Sequence, residues 1–165
     1  MLVAEAGNKS NQTILFLHGF PENRQAFEGV MNELKDAYHL LAIDLPDIGG
    51  SEAIASGDKN AISESNRNYY AAAYAQPSSL KTGFDWYRAF PQDEKDNAHC
   101  SPITTPVLYL RGKNEPGDSI EQYVAGFKKN GLLSIKPILI PDCGHFSAEE
   151  QPVKVAKAIA EFVAS

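Results

Sequence analysis

Side chains that can exchange protons follow apolar segments of this sequence at four points. His18 and Asp44 stand directly after apolar runs near the N-terminus, and Glu115 and His145 stand shortly after apolar runs in the C-terminal part. An imidazole titrates near neutral pH and a carboxylate can orient it, so these residue types are typical of acid–base chemistry. They indicate a site only if the runs before them are neighbouring elements of one fold.

The apolar runs predict strands of a largely buried sheet. They span Thr13 to Leu17, His39 to Ile43, Val107 to Arg111 and Lys136 to Ile140. The first run is apolar at nearly every position, which predicts a central strand buried on both faces. Leu2 to Ala6 predicts a short additional edge strand.

Helical patterns separate these strands. Apolar residues at helical spacing predict a helix between the first two strands, a capping box at Ser119 begins another, and Pro152 to Val163 predicts the last. Ser63 and Pro77 each begin a helix, and we expect the second to stop at Pro91. The alternation predicts an α/β fold with a mostly parallel sheet of four to five strands and helices on its faces. Ligand chemistry is then expected at the carboxyl ends of the strands.

Size and charge narrow the function classes. The chain has 165 residues, 43% hydrophobic and 22% charged, which suits one domain with a core. A net charge of −6 with scattered lysines argues against binding to nucleic acid or to a membrane surface. Cys100 and Cys143 do not suggest a disulfide framework or a metal site, and we expect no cofactor. Residues Met1 to Gly7 lack a secretion pattern, so we expect a cytoplasmic protein.

Four motifs, in this order, resemble the epoxide hydrolases and the haloalkane and fluoroacetate dehalogenases of the α/β-hydrolase superfamily. His18-Gly19-Phe20-Pro21 is similar to the HGxP turn, and residues 44–51 are similar to the D-L-P-G-x-G-x-S loop, with Asp47 in place of a glycine. Residues 74–90 resemble the last helices of the helical cap. Residues 142–152, around His145, resemble the catalytic-histidine loop.

The resemblance implies roles for individual residues. His145 would be the general base and Glu115 its acid partner, with Asp118 as the alternative candidate for the acid partner. Tyr87 would donate a hydrogen bond to the substrate from the cap. The turn at His18, Gly19 and Phe20 would form the oxyanion and substrate-binding site, with the N–H of Phe20 as donor. The alternative readings are an ordinary charged loop for Glu115 and an apolar core position for Tyr87.

The same resemblance divides the chain into parts of one structural domain. Residues 1–58 correspond to the N-terminal part of the hydrolase core, residues 59–98 to a residual helical cap, and residues 99–165 to the C-terminal part of the core.

A catalytic part of the family pattern is missing. The family places a nucleophile elbow, G-x-S-x-G or G-x-D-x-G, between the D-L-P loop and the cap, where a sharp turn pushes Ser or Asp toward the substrate. No such motif occurs in this sequence. The step from Ser51 to the cap helices leaves no room for the nucleophile strand, its helix, the next strand and the early cap. Asp47 is a weak substitute, because Leu45 and Pro46 precede it where an elbow needs little bulk.

The sequence is compatible with three functions. We expect a truncated α/β-hydrolase with impaired catalysis and at most a small-molecule pocket. The alternatives are an active hydrolase with a recruited nucleophile or His145-activated water, and a non-enzymatic interaction protein or swapped homodimer. Because exposed apolar edges are unfavourable, we expect Thr13 to Leu17 to pair in parallel with Val107 to Arg111, within one chain or across a dimer. The strand order would then be second, first, third, fourth, with the remnant of the site between the first and third strands.

Overall fold

Strands and helices alternate along most of the chain. A computed structural model of the protein describes residues 2–19, 22–44, 62–75, 77–99 and 101–165. The strands are β1 (Val3–Ala6), β2 (Thr13–Leu17), β3 (His39–Ile43), β4 (Val107–Gly112) and β5 (Ile135–Ile140). The helices are α1 (Glu28–Leu34), α2 (Glu64–Tyr74), α3 (Pro77–Asn97), α4 (Ile120–Lys129), α5 (Ser147–Glu150) and α6 (Pro152–Val163), with a 3-10 turn over Arg24–Phe27. This order confirms the predicted α/β fold and the edge strand at the N-terminus.

The strands form two sheets instead of the single sheet that we expected. β3 lies between β1 and β2, antiparallel to the first and parallel to the second, and β4 pairs in parallel with β5. Within the described chain, β2 and β4 share no backbone hydrogen bonds. The predicted pairing of these strands inside one molecule, and the strand order built on it, are therefore wrong. The two sheets are instead joined through helices, since α6 contacts α1 as well as β4 and β5.

β2 is an edge strand rather than the central strand that its sequence predicts. Phe16 is buried, but Leu15 is 52% exposed and Leu17 is 55% exposed. The central strand is β3, whose Leu40 and Ala42 are fully buried. The prediction for β2 is wrong because no further strand pairs with its outer edge in the described part of the chain.

One apolar core joins the N-terminal and C-terminal parts. Val30 and Leu34 of α1 are buried in the same cluster as Ile140 at the end of β5 and Val155 of α6. Gly29 of α1 approaches α6 so closely that a Cβ would come within 2.7 Å of the Pro152 ring. This contact between α1 and α6 joins the two sheets into one domain.

Helices α2 and α3 lie in the part of the chain that resembles the cap, and we refer to them as the cap helices. The Ser63 side chain accepts a hydrogen bond from the Asn66 N–H, which confirms the predicted start of α2. α3 continues through Pro91 to Asn97, so the prediction that Pro91 ends it is wrong. The helix is exposed from Tyr87 onward, and water can therefore bind the carbonyl that Pro91 leaves without an N–H partner.

α3 is 21 residues long, and it is largely polar. No helix in the described ranges is both long enough and apolar enough to cross a membrane.

The shared core predicts that a cavity in α1 destabilises the whole domain. Leu34 is 4% exposed, so Leu34→Ala should lower the free energy of unfolding by about 2–5 kcal/mol. The matched control is Leu133→Ala at a site that is 54% exposed, where we expect a change of less than about 1 kcal/mol.

Urea unfolding checks this, followed by far-UV circular dichroism and by amide hydrogen exchange of β3 and β5, one strand from each sheet. Both signals should shift together in Leu34→Ala. Separate transitions for the two signals would contradict a single core.

Candidate functional site

The loop after β5 presents His145, and a glutamate on α5 holds that loop in shape. The Glu150 carboxylate accepts hydrogen bonds from the backbone N–H groups of Gly144 (2.6 Å) and Phe146 (3.0 Å), on either side of the histidine. Asp142 has a left-handed backbone with φ of 56°, and the Gln151 side chain donates to its carbonyl at 2.8 Å. Backbone donors that would otherwise lie buried without partners are satisfied, so the loop has one defined shape.

Gly112 lets the histidine loop approach the end of β4. A Cβ at this position would lie 1.9 Å from the carbonyl oxygen of Gly144 and 2.5 Å from that of Cys143. The Asn114 N–H also donates to the Cys143 carbonyl at 2.8 Å. Only glycine fits here, and this close approach brings the loop after β4 next to the loop after β5.

Glu115 and His145 meet across these two loops. The distance between His145 Nδ1 and Glu115 Oε1 is 2.9 Å. Since a carboxylate only accepts hydrogen bonds, Nδ1 carries the proton and the lone pair of a neutral ring is on Nε2. The His145 side chain is 58% exposed and that of Glu115 is 19% exposed. The pair is thus an oriented imidazole that solvent and small molecules can reach.

Arg111, at the end of β4, fixes the loop that carries Glu115. The Arg111 side chain is buried and donates to the Pro116 carbonyl at 2.8 Å, and its Nη1 lies 3.5 Å from Glu115 Oε1. Its guanidinium also stacks over Tyr123 of α4, 4.4 Å from the ring centroid. This buried cation went unnoticed in the sequence, where it is only the last residue of an apolar run.

The remaining predicted site residues of the N-terminal half come directly after β2 and β3. His18 is buried, and its Nδ1 lies 3.0 Å from the Gly19 carbonyl oxygen. Asp44, at the end of β3, accepts from the Arg24 backbone N–H at 2.9 Å and pairs with the Arg24 guanidinium. Asp44 therefore holds the 3-10 turn. Phe20, the predicted oxyanion donor, lies outside the described residues.

Two partly buried glutamates, which the sequence did not reveal, lie beside the histidine loop. The Tyr70 hydroxyl of α2 donates to Glu149 Oε1, and Asn66 Nδ2 lies 3.4 Å from Glu149 Oε2. Glu22 Oε1, in the segment after β2, is buried without a hydrogen-bond partner. Burial, together with the nearby Glu149 charge, raises the pKa of Glu22 to about 7. Burial also raises the pKa of Glu149, although the hydrogen bonds from Tyr70 and Asn66 oppose that shift.

The cap residue Tyr87 lies on the exposed face of α3. Its side chain is 52% exposed, and its ring contacts Phe90 with the centroids 5.2 Å apart. Tyr74 of α2 is buried, and burial raises its pKa, with a smaller contribution from the nearby Tyr87. Tyr87 is therefore not an apolar core residue, and its role toward a substrate stays a prediction.

The remaining candidates divide into exposed, buried and undescribed residues. Asp118 is exposed, and it is Glu115 that contacts His145. Cys143 is fully buried, and burial raises the pKa of its thiol to about 11, so it is protonated at neutral pH. Asp47, Ser51 and Cys100 lie outside the described residues. Among the described residues, no group of three histidine, cysteine or acidic side chains could hold a metal ion.

Comparisons with known proteins give consistent relatives. Epoxide hydrolase 3 from Xenopus tropicalis is 44% identical over 48 residues, covering 29% of this chain and 13% of that protein. Epoxide hydrolase 3 from Siraitia grosvenorii is 28% identical over 109 residues, covering 62% of this chain and 34% of that protein. No protein-family model matches the chain. The chain thus spans about a third or less of the length of these curated relatives.

Comparison with solved structures also identifies epoxide hydrolases as similar proteins. A variant of an epoxide hydrolase from Solanum tuberosum superposes with a TM-score of 0.79 at 14% identity, covering 98% of this chain and 95% of that chain. At that identity the superposition shows the fold alone, and the short sequence matches add the relationship. The chain therefore has the α/β-hydrolase fold and is related to the epoxide hydrolases.

Proposed function

We propose that this protein is an α/β-hydrolase-fold protein that has lost covalent hydrolase chemistry and keeps the histidine side of the ancestral site. The observation that carries the proposal is the separation of the two sheets at β2 and β4. In the related family, the strand that ends in the nucleophile elbow lies beside the counterpart of β2. In the described residues no strand occupies that place, and the sequence contains no elbow motif.

Covalent catalysis in this fold needs two parts that act in turn. A Ser or Asp first attacks the substrate, and a histidine then activates water to hydrolyse the intermediate. The retained pair His145 and Glu115 supplies the second part, with Nε2 of a neutral ring free to take a proton. Without the first part no ester forms. The His145–Glu115 pair can then activate a water molecule, but no electrophilic substrate atom is held in position for that water to attack.

The proposal predicts no enzymatic turnover of the family's substrate classes. Purified protein mixed with an aryl epoxide, a haloacid and an activated aryl ester should hydrolyse each at the background rate. The reason is that a base without a nucleophile does not lower the barrier of the covalent step. Product formation followed by chromatography checks this, with the reaction in buffer as reference.

Two variants separate the true background from a weak active site. His145→Ala and Glu115→Gln should each leave the rate within about twofold of the parent protein. Turnover that His145→Ala abolishes would instead support the alternative of an active hydrolase with His145-activated water or a recruited nucleophile.

A second candidate function is association with another chain, and the exposed edge of β2 favours it. Leu15 and Leu17 present apolar surface on a strand whose outer edge is unpaired among the described residues. Such an edge exposes a row of backbone donors and acceptors together with apolar side chains. A second copy of this chain that pairs along β2 would cover both, and this homodimer needs no catalytic group.

This candidate predicts a dimer that a charge on β2 weakens. In size-exclusion chromatography with light scattering, the parent should show twice the chain mass of 18.0 kDa at micromolar concentration. Leu17→Lys should raise the dissociation constant by about tenfold or more, because a lysine on an edge strand opposes pairing. Leu133→Lys, at an equally exposed site away from the sheet edge, should leave it unchanged. A parent protein that is monomeric at every concentration would contradict this candidate.

A further inference from the structure

Two partly buried glutamates beside the histidine loop lie where the core meets α2. Tyr70 and Asn66, both from α2, bind the two carboxylate oxygens of Glu149 on α5. Glu22 precedes the 3-10 turn, which packs against α5, and its Oε1 is buried without a hydrogen-bond partner. The same turn contacts α2, because the Arg24 guanidinium lies over the Tyr69 ring, 5.8 Å from its centroid.

We propose that Glu22, Glu149 and Tyr70 form a proton-operated latch, in which a neutral Glu22 keeps helix α2 docked on the core and an ionised Glu22 releases it. This latch does not depend on the function proposed above, since it concerns how the cap is held and not what the site does.

The packing shows what the latch holds in place. Tyr70 is 2% exposed and Tyr74 is 3% exposed, so two large side chains of α2 are buried when the helix is docked. Tyr70 packs in a small cluster with Ile62 and with Phe146, the residue after His145. The hydrogen bond from Tyr70 to Glu149 therefore fixes α2 beside the histidine loop. Undocking of α2 would expose the Tyr70 side chain and the histidine loop to solvent.

Among the described residues, the charge that adds to the effect of burial on Glu22 is that of Glu149 on α5, which is a like charge. The charges of both glutamates also act on Tyr70 of α2. His18 at the end of β2 lies with its Nδ1 3.0 Å from the Gly19 carbonyl oxygen. In the 3-10 turn that follows Glu22, the Arg24 guanidinium pairs with Asp44. Two carboxylates confined together cannot both ionise without repulsion.

The direction of the pH effect follows from these shifts. Docked, the pKa of Glu22 is about 7, against an ordinary value of 4.5. The docked state therefore binds the proton more tightly than an open state in which water solvates the carboxyl group. Docking is strongest below pH 4.5, weakens as the pH rises from there to about 7, and changes little above that range. The raised pKa of Glu149 acts in the same direction.

Amide hydrogen exchange of α2 tests the latch on the full chain. After correction for the intrinsic exchange rate, the opening constant of the α2 amides should rise by on the order of fifty- to a hundredfold between pH 5 and pH 8. The α6 amides should keep a constant protection. Glu22→Gln keeps the size of the side chain but cannot ionise, so the α2 opening constant should lose most of its pH dependence, and only the smaller part that Glu149 contributes should remain.

Two further variants make the result decisive. Glu33→Gln removes an exposed carboxylate of α1 and should leave the pH dependence of α2 intact. Tyr70→Phe removes the hydrogen bond to Glu149 but keeps both glutamates, so α2 should open more often at every pH while the pH dependence remains. An α2 opening constant that does not change with pH in the parent, or that changes equally in Glu22→Gln, would overturn the latch.

Discussion

The packing of α6 against α1 is the contact on which the rest of this structure depends. The described strands form one sheet of three and one of two, and neither sheet can bury its apolar face without a second layer packed on it. Gly29 and Pro152 show how closely the two helices approach. Since α6 follows the histidine loop directly and also contacts β4 and β5, this helix places the loop relative to the N-terminal half. A site built from loops of both sheets is possible only while that contact holds.

The arrangement around His145 is held by contacts within the C-terminal half of the chain. Glu150 bonds the backbone on both sides of the histidine, Gly112 allows the loops to meet, and Arg111 holds the loop of Glu115. These contacts are local to β4, β5 and α5, and none of them involves the three-stranded sheet. The oriented imidazole is therefore a property of the C-terminal half, whereas the proposed loss of covalent chemistry concerns the interval between the two halves.

Local signals in the sequence predicted local structure well. The capping residues Ser63 and Ser119 begin helices as expected, because a cap depends only on neighbours within one turn. The prediction for Pro91 was wrong because the helix is exposed around the carbonyl that loses its partner, where water can reach it. The prediction of burial for β2 was wrong for a similar reason. Apolar character shows that a strand can be covered, but the covering element must be present in the fold.

The residues that the sequence did not reveal act over long separations. Glu22 and Glu149 have no motif of their own, and the charge of one acts on the other because the 3-10 turn after Glu22 packs against α5. The sequence does not distinguish Gly112 from the other 11 glycines, and its role becomes visible only in the structure, where the loop after β5 lies against it. His145 and Glu115 were paired by resemblance to a family loop, and their 2.9 Å separation depends on both loops being placed by β4 and β5.

We expect no residue of this chain to form a covalent bond with a substrate of the hydrolase family. Intact-protein mass spectrometry tests this on the chain, quenched in acid within seconds of mixing with excess epoxide or haloacid. The His145→Ala variant, which could not hydrolyse an ester intermediate, makes any adduct easier to detect. Both proteins should keep an unchanged mass. A mass increase equal to the bound substrate fragment, located by peptide mapping on an Asp, Ser or Cys, would contradict it.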